Sequence, residues 1–288
     1  MPKWQRLDLL VVERGLCSSR QKATTAIMDG GILVDGEKVT KPGKSVPILA
    51  KIELLASFQE SRYVSRGGTK LERALTEFGV PVKDRICLDV GASTGGFTDC
   101  LLKFGAQLVY AVDVGYGQLD WSLRSDQRVI VRERSNARYL KPEDIYPPGI
   151  KKASLVVIDV SFISLKLILP PCLELVDSEA ADLICLVKPQ FEAGKELVGK
   201  KGVVHEASTH VLVLKSIVAH AEQLGFRVHH LTYSPLLGPA GNIEFLLHLG
   251  LNEDKSATPF SETSIKAIVD GAHRDLKTKP ESETTTEP

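Results

Sequence analysis

Between residue 71 and about residue 250 the chain alternates short, uninterrupted apolar runs with helical stretches, and this alternation restricts its fold more than any other feature. The runs are Ile86–Val90, Leu108–Val112, Val129–Val131, Leu155–Ile158, Leu183–Val187, Phe226–Leu231 and Ile243–Leu249. A strand that is apolar on both faces needs cover on both faces, which predicts an α/β domain with a mostly parallel, doubly wound sheet. Only the turn-rich Tyr233–Asn242 joins the last two runs. That link is too short for a crossover helix, so those runs should pair antiparallel, as a hairpin at the sheet's edge.

The front of the chain follows another pattern. Arg6–Arg14 sets apolar positions 7, 10 and 11 on one helical stripe ended by Gly15, and Ser18-Ser19 leads into a second helix that stops at Asp29-Gly30-Gly31. Ile32–Val34, the turn Asp35-Gly36 and Lys38-Val39 form a hairpin closed by Pro42-Gly43. The expected division is a small α+β domain over 1–60, a linker over 61–70, the α/β domain over 71–270 and a tail over 271–288. The tail is expected to be disordered, because from Lys277 onward it has no apolar residue beyond its prolines.

Formal charge sums to zero, 36 Lys+Arg against 36 Asp+Glu, but it is unevenly spread. Residues 1–70 hold 12 basic and 7 acidic residues, a net of +5, which leaves 24 and 29, a net of −5, for the rest. A basic front piece suits a polyanionic partner. Its candidate phosphate contacts are Arg6, Arg14, Arg20, Lys22, Lys38, Lys41 and Lys44, at helix ends and turns; ordinary solvated charge is the competing reading. No uncharged apolar run approaches the ~18 residues of a membrane helix, and no apolar signal region opens the chain, so a cytoplasmic protein is expected. Cys17, Cys87, Cys100, Cys172 and Cys185 are scattered and never spaced C-x-x-C. They read as small buried hydrophobes, and no metal site is expected.

The segment Asp89-Val-Gly91-Ala-Ser93-Thr94-Gly95-Gly96-Phe97 follows the first apolar run and enters a helix over 97–104. In an open α/β sheet this is where a nucleotide binds. Its glycines let the backbone turn and approach a ligand, and Asp113, 22 residues past Gly91, is placed for a ribose diol. A dinucleotide fingerprint has Gly where this chain has Ser93, so that a pyrophosphate can sit on the backbone. Ser93 thus favours S-adenosylmethionine, which has a ribose and no phosphate, over NAD. Asp89 is expected at the donor's amino group and Asn136 at its adenine, with Thr94, Gly95, Gly96 and Phe97 completing the contacts.

Lys70, Asp159, Lys188 and Glu244 stand at or near strand ends, where open α/β sheets carry their chemistry. A charge there is costly unless paired or used, and each alone reads as a structural ion pair. Together they resemble the Lys-Asp-Lys-Glu tetrad of the FtsJ-type ribose 2′-O-methyltransferases. The runs Leu88–Thr98, Asp113–Leu119, Trp121–Arg124, Ser161–Leu165, Val187–Glu192 and Gly202–His205 resemble the TlyA family, rRNA cytidine 2′-O-methyltransferases, over nearly the whole chain.

That resemblance implies a Rossmann-like methyltransferase sheet behind an S4-like RNA-binding domain. It also implies S-adenosylmethionine as cofactor, ribosomal RNA or ribosomal subunits as partner, and a monomer with neither metal nor membrane partner. Lys70, Asp159, Lys188 and Glu244 become the catalytic set, with Lys188 the base. Free lysine, at a pKa of about 10.4, is protonated at neutral pH. The neighbouring cation Lys70 and desolvation would favour the neutral amine, while Asp159 and Glu244 would oppose part of that shift. Phe162 and Phe191 either stack on a base or cover the sheet edge, and packing is the expectation for each. The chain departs from the family at Tyr63, where many relatives have Trp, and at Gly68-Thr69, where Ala-His is common. Those departures bear on any coupling through the linker.

Two rival functions are a membrane-acting hemolysin, the family's older label, and a catalytically inactive RNA-binding ribosome assembly factor. The first lacks a spanning run and a sustained basic amphipathic stripe. The second leaves a cofactor loop and a full tetrad without a use.

Overall fold

The computed structural model describes residues 3–55, 62–177, 181–199, 201–238, 240–251 and 261–277. The chain divides into two compact units, Met1–Glu72 with Val82–Asn136, and Arg73–Pro81 with Ala137–Pro288.

In the first unit the front piece comprises β1 (Trp4–Arg6), α1 (Leu7–Glu13), α2 (Arg20–Met28), β2 (Ile32–Val34), β3 (Glu37–Lys38), β4 (Ser45–Pro47) and β5 (Ile52–Leu54). Ser19 caps α2, its hydroxyl accepting from Lys22 N at 3.2 Å. Leu7, Val11, Ile27 and Ile32 are fully buried and centre the core of this piece. Both expected helices and the β2–β3 hairpin are present. The pairing of β1 with β4, and of β5 with β2, adds short strands that the sequence did not signal.

The chain continues through α3 (Gly67–Phe78), β6 (Ile86–Val90), α4 (Gly96–Lys103), β7 (Leu108–Val112), α5 (Trp121–Arg124) and β8 (Val129–Arg132). The second unit adds α6 (Pro142–Ile145), β9 (Leu155–Ile158), α7 (Leu169–Leu175), β10 (Asp182–Val187) and α8 (Pro189–Glu192), then α9 (Ala207–Gln223), β11 (Arg227–Tyr233), β12 (Phe245–Gly250) and α10 (Glu262–Lys277). β6 to β12 make a mostly parallel seven-stranded sheet, in the order β11-β12-β10-β9-β6-β7-β8. β6, β7 and β8 run parallel, as do β9 and β10. The final hairpin is antiparallel as expected, with β11 at the edge and β12 inside, antiparallel also to β10. Val156, Val157, Leu183 and Ile184 have no exposed surface, as strands covered on both faces require.

Two expected boundaries shift. Residues 271–277, expected to begin a disordered tail, instead complete α10, because Ile265, Val269 and Ala272 form one buried stripe and His273 Nε2 lies 2.8 Å from His210 Nδ1. The rest of that tail, 278–288, lies outside the described residues, as does Ser61 of the linker. The linker is structured from Arg62 onward, and its last four residues, including Lys70, open α3. Lys70 therefore sits on a helix instead of at a strand end.

Residues 62–66 are fastened to α4. Val64 N donates to Asp99 Oδ2 at 2.8 Å, and Lys103 Nζ donates to the Arg62 carbonyl at 2.6 Å and to Asp99 at 2.9 Å. Tyr63 is 4% exposed, and burial pushes its phenol well above the usual range. A Cβ on Gly68 would stand 2.2 Å from Tyr63 Cγ. Gly68 is therefore required by the present seat of Tyr63. Gly68→Ala is expected to cost about 1–3 kcal/mol through overpacking; chemical denaturation of both proteins measures it, and an unchanged midpoint would show that Tyr63 has room to move.

Candidate active site

The loop after β6 is shaped by its own chain. Ser93 has a left-handed backbone, φ 48°, and its N–H donates to Asp113 Oδ2 at 2.8 Å, while Gly115 N donates to Asp113 Oδ1 at 2.6 Å. One carboxylate at the end of β7 thus ties two loops together. Asp89 is fully buried and accepts from Thr98 Oγ1 at 2.6 Å; nothing in the sequence singles out Thr98 for that bond. Asn136 is exposed in the loop after β8, which Ser135 N anchors to Asp113 O at 2.9 Å.

The glycines have a second use besides ligand access. Gly95 has φ 97°, and a Cβ there would fall 2.2 Å from Leu123 Cδ1. On Gly96 it would fall 2.3 Å from Ser65 Oγ. Both positions are therefore closed to larger residues by internal packing. Gly91 is also left-handed, at φ 88°, while Thr94 and Phe97 are buried.

Asp159 follows β9 and Lys188 follows β10, and because these strands are parallel neighbours their ends emerge together. Lys188 Nζ lies 2.6 Å from Asp159 Oδ1 and donates to Ser161 Oγ at 2.8 Å. Glu244 is fully buried and immediately precedes β12. The β10–β12 register ends at Val187↔Phe245, so one further step sets Glu244 across from Lys188. Asp159, Lys188 and Glu244 thus share one end of the sheet within the second unit. Lys70, 7% exposed, belongs to the first unit, as does the cofactor loop.

Phe162 departs from the packing expectation. It is 89% exposed at φ 64°, with its ring tilted against that of Phe191 at 5.0 Å. A bulky residue in the left-handed region is strained, and such strain collects at functional sites.

All seven candidate phosphate contacts of the front piece are exposed. Three also serve the fold. Arg6 and Arg20 both reach the buried Asp8 at 2.9 Å, and Arg14 donates to the carbonyls of Ile48 and Ala50. The turn carrying Lys41 and Lys44 lies beside Arg6, whose guanidinium would meet a Cβ on Gly43 at 3.1 Å.

A profile described as FtsJ-like methyltransferase matches residues 63–251, and the S4 domain profile matches residues 5–48. The 16S/23S rRNA (cytidine-2′-O)-methyltransferase TlyA of Mycobacterium tuberculosis is 43% identical, over 97% of this chain and 100% of that protein. The chain belongs to the TlyA family of FtsJ-like methyltransferases. It is also 48% identical to YqxC of Bacillus subtilis, named a candidate rRNA methyltransferase, over 96% of this chain and 97% of that one. A solved structure described as a candidate hemolysin from Streptococcus thermophilus matches with a TM-score of 0.73 and 45% identity, covering 96% of this chain and 98% of that one. Among the described residues, no helix is long and apolar enough to cross a membrane, and no group of three or more His, Cys, Asp or Glu side chains could hold a metal ion.

In this TlyA-family chain the last residue of the Val187–Glu192 run has a role that the sequence did not reveal. Glu192 accepts from Ser164 Oγ at 2.5 Å and Leu165 N at 2.8 Å, clamping α8 to the segment after Asp159. Burial pushes its carboxyl above the usual range, more than those hydrogen bonds and the Lys166 charge bring it down. A carboxyl raised by folding favours the native state at low pH and loses that contribution as pH rises through the folded value. The stability of wild type relative to Glu192→Gln should therefore increase as pH is lowered from 7 towards the ordinary glutamate value of about 4.3. Paired thermal melts across that range measure it, and a constant difference would remove Glu192 as the titrating group.

Proposed function

We propose that the protein is an S-adenosylmethionine-dependent methyltransferase acting on a ribose 2′-hydroxyl, of cytidine, in ribosomal RNA. The observation that carries this reading is the Lys188 amine held at the carboxyl end of β10 by Asp159, with Glu244 brought to the same end by register. The names of the relatives supply the nucleic acid and the nucleotide. The domains are read as an S4-like piece over 1–60, a linker over 61–70 and a methyltransferase domain from 71 to the end of α10.

The fit of the donor can be judged from the loop itself. In a phosphate-binding loop, backbone N–H groups point at the anion. Here the Ser93 N–H is already taken by Asp113, and an anion would face that carboxylate. This supports a donor with a ribose and no phosphate. Asp89, Gly91, Ser93, Thr94, Gly95, Gly96, Phe97, Asp113 and Asn136 would hold it, Asp113 at the ribose, Asp89 at the amino group and Asn136 at the adenine. When bound, S-adenosylmethionine supplies a methyl group on a positive sulfur, open to in-line attack by an oxygen.

The chain's own task is to prepare that oxygen. Lys188 in its neutral form takes the proton of the 2′-hydroxyl, Asp159 and Glu244 orient the resulting ammonium, and Lys70 is read as the fourth member of the catalytic set. Phe162, exposed at the same sheet end, offers a ring face to a nucleobase. Arg6, Arg14, Arg20, Lys22, Lys38, Lys41 and Lys44 meet RNA phosphates. The protein is read as a cytoplasmic monomer.

Incubating the chain with labelled donor and each purified ribosomal subunit, then mapping the modified ribose, tests the reading. Lys188→Ala should lower transfer by roughly 10²–10⁴-fold while donor binding stays intact, and undiminished turnover would remove Lys188 from the mechanism. Lys41→Glu with Lys44→Glu should weaken RNA binding and flatten its salt dependence by about one unit of slope for each phosphate that no longer meets a cation; an unchanged slope argues against that turn as the RNA face. Lysis of liposomes without donor, together with no labelled RNA, would favour the hemolysin reading.

A further inference from the structure

Among the contacts of the Lys188 amine, one is to the tetrad and another, to Ser161, is not. Its Nζ meets Asp159 Oδ1 at 2.6 Å and donates to Ser161 Oγ at 2.8 Å, on a side chain only 12% exposed. Ser161 lies two residues past Asp159, in a segment that immediately turns through Phe162 at φ 64°. Packing does not account for this turn, because Phe162 remains 89% exposed after it. The turn does keep Ser161 on Lys188, and the segment is fixed from behind by the bonds of Glu192 to Ser164 Oγ and Leu165 N. Glu192 ends α8, which starts directly after Lys188. The segment bearing Ser161 and the element that follows Lys188 are therefore tied to each other at both ends.

The chemistry of the two anchors differs. A lysine amine sits on a flexible four-carbon stem, and one carboxylate contact leaves it free to swing about that contact. A further acceptor narrows the swing. Another carboxylate in that place would add to the charge of Asp159 and Glu244 and further strengthen the ammonium form, which a proton acceptor must avoid. A hydroxyl accepts the N–H bond without adding charge.

We propose that Ser161 is a positioning residue for methyl transfer, its hydroxyl aiming the Lys188 amine at the ribose hydroxyl. The inference rests on reading Lys188 as the proton acceptor. Small misplacements of a reacting group cost up to about 10²-fold in rate. Ser161→Ala should accordingly lower kcat roughly ten- to a hundred-fold, with donor affinity and the KM for RNA little changed, and Ser161→Thr, which keeps the hydroxyl, should recover most of the loss. Independently of any substrate, acetic anhydride should acylate Lys188 several-fold faster in Ser161→Ala than in wild type, as read by peptide mass spectrometry. An unchanged kcat, equal losses in the Ala and Thr variants, or an unchanged acylation rate would each overturn the proposal. If wild type labels no ribosomal RNA, the functional reading fails instead, and the acylation comparison still decides whether Ser161 anchors the amine.

Discussion

The ion pair of Lys188 with Asp159 is the contact around which the end of the sheet carrying Asp159, Lys188 and Glu244 is organised. A largely buried amine survives beside apolar strands only if an opposite charge meets it at close range, since desolvation otherwise outweighs what the fold gains. The parallel register of β9 with β10, which sets Ile158 beside Cys185, supplies that partner by bringing both strands out at the same end of the sheet. Antiparallel insertion of β12 beside β10 brings Glu244 to the same end from the opposite chain direction. The edge hairpin is therefore more than a cap on the sheet. Without the reversal, Glu244 would emerge at the far end.

A similar economy governs the cofactor loop. Asp113 occupies the Ser93 and Gly115 N–H groups, so the loop is tied down by its own chain and carries negative charge where a phosphate-binding loop offers donors. Gly95 and Gly96 fit because Leu123 and Ser65 have taken the space a side chain would need. Ligand choice and packing act on the same residues, which is why a glycine pattern alone points to a nucleotide and leaves its kind open. The hydrogen bond of Ser93 argues against a phosphate more directly than the identity of Ser93 does.

The strand runs were legible because strands buried on both faces must be continuously apolar, and each of the seven runs became a strand of the sheet. Asp159 and Lys188 were legible because a charge after such a run is conspicuous. Ser161 and Glu192 were not, since a serine or glutamate in a polar loop looks the same whether or not it holds a neighbour. Their partners lie 27 or 28 residues away, across strand connections that only the folded register brings together. The placement of Lys70 on α3 was missed for another reason. Residues 61–70 were read as a linker, yet Gly67 and Gly68 open a helix whose first turn must fit against Tyr63 and Phe97.

The positive front piece shows the same sharing of residues between fold and function. Burial pushes the Asp8 carboxyl up, but Arg6 and Arg20 more than offset this and hold it below the ordinary range. Asp8 thus cancels part of the positive charge that residues 1–70 carry. It also fixes two guanidinium groups that would otherwise move freely, and each keeps about half its surface in water, 48% for Arg6 and 59% for Arg20. A guanidinium has five donors, of which a bidentate carboxylate takes two. Long-range attraction to a polyanion falls with the cancelled charge, while the entropic cost of ordering the two side chains on binding falls as well. The buried acid exchanges steering for preorganisation.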